Sequence, residues 1–261
     1  MREVYITEYK SDRQLRASLE LFKSYALFNT PVIQSRSHFI VIFIRLADRC
    51  LYHSIKTWSL FVSDLNVPVD FLQELGDDAW METNDVASKY EIEAYLAAAK
   101  TLFEKNFIGV NEQGKQNILG GSFNGNMPLL TTIKGLFEKS RAAFFSEANK
   151  IRNHSYHINR QLRDAGFTSK IVKSGNSFKV ALPNMYEVNN ADIIDLAELF
   201  ISTHKDIVKL LREVREILLQ YLFEQHGRPS NNTYLPIETP FGNMIVSLGP
   251  EGFDFEEFNK P

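Results

Sequence analysis

Apolar residues recur at helical intervals along most of the chain. From about Ser11 to Phe28, the residues Leu15, Leu19, Phe22 and Ala26 share one face, and Ser11 with Gln14 has the spacing of a capping box. Thr30-Pro31 suits the start of a second helix, because proline in the first turn lacks only an N–H that has no intrahelical partner. That helix runs to about Leu65, before Pro68. It is apolar on nearly every side from Phe39 to Leu46, which places it centrally in a bundle. A third helix covers residues 84–106. The stretch IGVNEQGKQNILGGSFNGNMP follows and reads as a mobile loop. Its Gly114-Lys115-Gln116 lacks the Ser/Thr and the spacing of a phosphate-binding loop.

A fourth helix starts near Asn126-Met127-Pro128 and carries Leu130, Ile133, Phe137, Phe144, Ala148 and Ile151 on its apolar stripe. Past Gly166 the period changes. SKIVKSGNSFKVALP reads as two strands joined at Ser174-Gly175-Asn176-Ser177. The last helix has Asn190 as its cap and Asp192 at its positive end. Ile193, Ala197, Phe200, His204, Ile207, Leu211, Val214, Leu218 and Tyr221 then form a coiled-coil-like seam that ends at Gly227 and Pro229. The tail TYLPIETPFGNMIVSLGPEGF predicts one or two short strands able to join the hairpin. The expected fold is an all-α bundle of about five helices, one domain over 1–261, with a β appendage at about 167–183 and 233–249.

Composition narrows the class without changing this picture. Hydrophobic residues make up 44% and charged residues 23%, the balance of a folded globular protein. A net charge of -3 argues against a chain coated in nucleic acid, but not against a local basic site. The single cysteine, Cys50, excludes an internal disulfide and falls in an apolar stretch, where a buried small hydrophobe is expected. The opening MREVYITEYKSDR carries no cleavable signal, and the apolar run FIVIFI stops at Arg45, too short for a bilayer. A cytoplasmic protein is expected.

The chemistry concentrates in EANKIRNHSYHINRQ, residues 147–161. With Asn149 at 0° on a helix, Arg152, Tyr156, Asn153 and His157 fall within a face about 140° wide, beside the core-facing side. A guanidinium holds phosphate through paired hydrogen bonds and keeps its charge. An imidazole moves protons near neutrality. Cleavage of RNA by its own 2′-hydroxyl needs these two services and no metal. Arg152 would stabilise charge on the phosphate oxygens, and His157 would transfer a proton. The two lie about 7.5 Å apart along one helix, so two copies about a two-fold axis would focus them better than one. Asn153 supports the pair, and Asn149 and Tyr156 are the candidates for substrate binding.

The segment RNHSYH, residues 152–157, resembles the R-x4–6-H motif of the HEPN superfamily in its form with Asn directly after Arg. A four-residue gap with that Asn is expected by chance only about 0.02 times in a chain of this composition. The resemblance implies a helical bundle that dimerises and, in active members, a metal-independent endoribonuclease of toxin–antitoxin, abortive-infection or CRISPR-linked defence. Arg152 and His157 would then be catalytic in a cleft shared by two domains, with Asn153 supporting them. It implies no cofactor, a homodimer, RNA or nucleotide as ligand, and an antitoxin or nucleotidyltransferase as partner. The tyrosine that such a transferase modifies in some members is Asn159 here. Other members are inactive modules that bind nucleotide, RNA or protein, and the acidic balance suits that alternative.

Plainer readings stand beside these. Arg152 can tie its helix to a carboxylate such as Glu147, and His157 can bond exposed carbonyls at a helix end. His154 and His157 could hold a metal only with distant carboxylates. Arg49 and His53 suit a solvated or interhelical polar patch. His204 suits a satisfied core histidine. The 193–221 seam alone could serve a structural interaction protein.

Overall fold

The computed structural model describes the backbone over residues 2–30, 38–64, 84–104, 107–108, 117–123, 126–153, 170–174, 177–183 and 191–258. Side chains are described over 3–30, 38–62, 91–104, 107–108, 117–123, 126–144 and 200–257. The described chain is mostly helical. In order, the helices are α1 (Arg2–Asn29), α2 (Phe39–Asp64), α3 (Asn84–Leu102), α4 (Ile118–Ser122), α5 (Met127–Asn153) and α6 (Leu196–His226). The strands are β1 (Lys170–Ser174), β2 (Ser177–Pro183), β3 (Ala191–Asp195), β4 (Thr233–Thr239), β5 (Gly242–Gly249) and β6 (Gly252–Phe258).

α1 starts nine residues before the expected Ser11, so the capping box is not one. Ser11 sits mid-helix, where its hydroxyl accepts from Arg212 at 2.5 Å. The apolar stripe continues backward through Tyr9 and Tyr5, both buried. Thr30 closes α1 rather than opening α2, because its N–H reaches Ala26 O at 3.0 Å. α2 begins at Phe39 behind His38, whose ring Nδ1 accepts from Ile40 N–H at 3.2 Å as a cap would. As expected for a central helix, Phe39, Ile40, Phe43, Ile44 and Ala47 are buried.

α3 ends at Leu102, four residues short of the expected 106. The Gly-rich stretch is not wholly a loop, for it contains α4. Asn117 caps that short helix, accepting from Gly120 N–H at 2.6 Å while donating to Ile108 O at 2.5 Å. Ser122 Oγ accepts from Phe39 N–H at 2.8 Å, and Leu119 and Phe123 are buried. Asn117 thus ties the stretch to itself, and Ser122 with the Phe123 ring, which meets His38 and Phe39 edge-on, fixes it to the start of α2. Asn126 caps α5 through Leu129 N–H at 3.2 Å. Ile133, Phe137 and Phe144 form the buried stripe of α5. Phe137 closes a ring cluster with Phe39 and Phe107, the latter two stacked at 4.6 Å. Each fully buried ring of this kind stabilises the fold by roughly 1.5–3 kcal/mol.

β1 and β2 pair as the expected hairpin, with Ser174 opposite Ser177. The segment expected to start the last helix is instead β3, which pairs antiparallel with β2 and sets Ile193 opposite Ala181. Asn190 is therefore not that helix's cap, and α6 begins at Leu196. α6 is more than a two-position seam. Val208, Leu210, Leu219, Leu222 and Phe223 are buried along with Phe200, Ile207, Leu211, Val214 and Leu218. Among the described residues its buried stripe packs against α1, α2, α3 and α5 of the same chain. Gly227, at φ +85°, ends it with N–H to Phe223 O at 2.9 Å.

The tail does not join the hairpin. β4, β5 and β6 form a second antiparallel sheet of their own. Ile237, Met244, Val246 and Leu248 are buried and belong to the helical core. α1 carries this sheet through an edge-on contact of Tyr9 with Phe241 at 5.2 Å and the Lys10–Glu257 ion pair at 3.0 Å. Among the described residues no helix is long and apolar enough to cross a membrane.

Candidate functional site

The helical backbone of α5 runs through Asn149, Arg152 and Asn153, so these three positions succeed one another at helical intervals. Counted at 100° per residue from the stripe of Ile133, Phe137 and Phe144, position 152 comes about 80° round from its centre. Positions 149 and 153 come about 140° and 180° round. The side chains of these three lie outside the described residues, as do Tyr156 and His157 altogether, and His154 with them. The structure thus gives the backbone of Asn149, Arg152 and Asn153 alone.

The best-defined polar constellation is elsewhere, and it is sealed. Asp12 is fully buried between α1, α2 and α6. Its carboxylate accepts from Ser54 Oγ at 2.7 Å and from Trp58 Nε1 at 2.9 Å, and meets His204 Nε2 at 3.0 Å. The other ring nitrogen of His204 lies 3.3 Å from the Tyr95 hydroxyl of α3. Burial first, then the nearby charge of Cys50, Asp12 and Asp206, keeps the Tyr95 phenol protonated well above the usual tyrosine range. Four helices meet at this hub, and Phe200 stacks on the His204 ring at 5.3 Å. Ser54, Trp58, Tyr95 and His204 are almost wholly buried, so the hub organises the fold and offers no face to a substrate. His204 is the satisfied core histidine expected. Asp12 continues the stripe Tyr5–Tyr9–Asp12–Leu15–Leu19 of α1, which a helix starting at Ser11 would hide.

Of the α2 pair, Arg49 is exposed, whereas His53 meets Glu91 of α3 at 2.8 Å, an interhelical polar contact. Cys50 is buried, and burial drives its thiol far above the ordinary cysteine range. Among the described residues two surface cavities stand out. One, of about 230 Å³, lies between α1 and β4 and is lined by Arg13, Arg16, Glu20 and Glu238. The other, of about 430 Å³, is lined by Tyr25, Phe28, His226 and Arg228 where α1 and α6 end. Among the described residues no group of three His, Cys, Asp or Glu could hold a metal ion. Comparison with family models, curated proteins and solved structures finds no match for this chain.

Proposed function

We propose that this chain is a metal-independent endoribonuclease of the HEPN type, acting as a homodimer and serving in a defence or toxin–antitoxin system. The observation that carries the reading is the RN-x3-H spacing at 152–157, entered directly from the long helix α5. Arg152 grips the scissile phosphate, and its fixed charge stabilises the oxygens as they gain charge in the transition state. The 2′-oxygen attacks phosphorus, the bond to the 5′-oxygen breaks, and a 2′,3′-cyclic phosphate remains. His157 transfers the proton that this exchange moves. Asn153 positions the pair, and Asn149 and Tyr156 hold the flanking nucleotide.

The test uses purified protein, chelator and labelled RNA, with wild type compared against Arg152→Ala and His157→Ala. Wild type yields cyclic-phosphate ends, and each variant loses at least a hundredfold in rate, the low end of what one acid–base or charge-stabilising group contributes. Equal cleavage by all three would sink the catalytic assignment. Salt-dependent RNA binding without cleavage by wild type would assign the chain to the non-catalytic alternative.

A further inference from the structure

α2 turns a distinctive face to solvent. Its exposed residues, among those described, are Arg45, Arg49, Tyr52 and Lys56. Spaced four, three and four residues apart, they fall within about 60° of helix circumference and span roughly 16 Å of its length. The stripe holds three cations and one aromatic ring and no carboxylate. The exposed faces of α5 and α6 mix signs, as in Lys134–Glu138 and Lys209–Glu213. Nearby carboxylates are already engaged: Asp48 holds Arg16 at 2.6 Å, and Glu91 meets His53 at 2.8 Å. Arg45 and Arg49 have no ion pair among the described residues. Tyr52 is 44% exposed, with the Arg16 guanidinium 5.7 Å and the Lys56 ammonium 5.9 Å from its ring centre.

We propose that this face of α2 binds a single strand of nucleic acid, with Arg45, Arg49 and Lys56 on successive phosphates and Tyr52 as the platform for an unpaired base. An acidic chain gathers here three cations with no ion pair among the described residues, and charge complementarity to a phosphate backbone gives that gathering a use. A ring set between cations is the arrangement that holds single strands without reading their sequence. A duplex would leave Tyr52 nothing to stack on. An anionic membrane would want apolar side chains beside the cations, and α2 turns its own inward. The proposal rests on RNA being the substrate, and it adds a binding track outside the cleavage residues.

Binding of a labelled single-stranded RNA of roughly a dozen nucleotides is measured by fluorescence anisotropy in the His157→Ala background, so that cleavage cannot intrude. The α2 face is expected to contribute about 2 to the magnitude of the slope of log Kd against log salt, from three phosphates at about 0.7 each, on top of the contact made by Arg152. The triple variant Arg45→Gln, Arg49→Gln, Lys56→Gln flattens that slope and weakens binding more than tenfold, whereas Arg45→Lys with Arg49→Lys retains it. Tyr52→Ala weakens binding by about tenfold. All four positions face solvent, and circular dichroism verifies that each variant is folded. Unchanged binding by the folded triple variant overturns the proposal. So does a variant that loses only its binding to phosphatidylserine vesicles. Binding through α2 with no cleavage by wild type would leave this inference standing and end the ribonuclease reading. Cleavage by wild type with RNA binding untouched in the triple variant would do the reverse.

Discussion

Replacing Asp12 by alanine tests whether the buried hub organises the four helices that meet there. The carboxylate is fully buried and serves three partners, Ser54, Trp58 and His204, at 2.7–3.0 Å. Ser54 keeps an alternative acceptor in Leu51 O at 2.9 Å. Trp58 Nε1 has no such alternative among its hydrogen bonds, and His204 keeps only the longer contact to Tyr95. Two buried groups therefore lose their partner, at about 1–3 kcal/mol each. A loss of about 4 kcal/mol follows, a large share of the roughly 5–15 kcal/mol that holds a domain together. For a chain of this size it lowers Tm by about 10 °C. Urea and thermal unfolding followed by circular dichroism measure it. A loss below about 1 kcal/mol would refute the reasoning, since it would mean the orphaned groups find water or new partners at little cost.

Two further outcomes follow from single residues. His38 caps α2 with a neutral ring nitrogen, and burial lowers its pKa from the ordinary value, partly opposed by its hydrogen bond to the Ser122 backbone. The unfolded chain therefore takes up a proton near pH 6.5 before the folded one does, so this contribution is complete above about pH 6.5 and lost as pH falls through the lower folded value. Urea midpoints should fall from pH 7 to 5 by more in wild type than in His38→Asn, whose amide caps without titrating; parallel curves would contradict the assignment. Cys50, buried and with its thiol held protonated, should resist a thiol-specific dye at pH 8 in the native state and react at once in denaturant; rapid native labelling would contradict its burial.

Strongly periodic segments were legible in the sequence, since burial follows the 3.6-residue repeat whatever the partner helix. The α2 core, Ile133, Phe137 and Phe144 of α5 and the buried Cys50 stand where that repeat puts them, Leu130 is half-buried, Ala148 and Ile151 lie outside the residues whose side chains are described, and Gly227 ends α6 at positive φ. Four features are not legible there, for separate reasons. ADIID offers a plausible cap and a first apolar residue for a helix, and only the pairing of β3 with β2 decides otherwise. ILGGS is short and glycine-bearing, as a loop is, and tertiary anchors at Leu119 and Phe123 hold it as α4. The second sheet looked like part of the first because strand signals do not state their partners. Asp12 went unmarked because a lone carboxylate on an apolar face gains meaning only when its donors, 42 to 192 residues distant, are known. As for the candidate site, the sequence named its residues, and the fold adds the helix that carries Asn149, Arg152 and Asn153.

The most direct test of the proposed activity is the chemistry of the RNA ends left in the presence of chelator. Wild-type protein should leave 2′,3′-cyclic phosphates at internal positions, while Arg152→Ala and His157→Ala, folded as wild type, should leave the RNA intact. Cleavage that persists undiminished in both variants, or RNA that remains whole with every protein, would contradict the account.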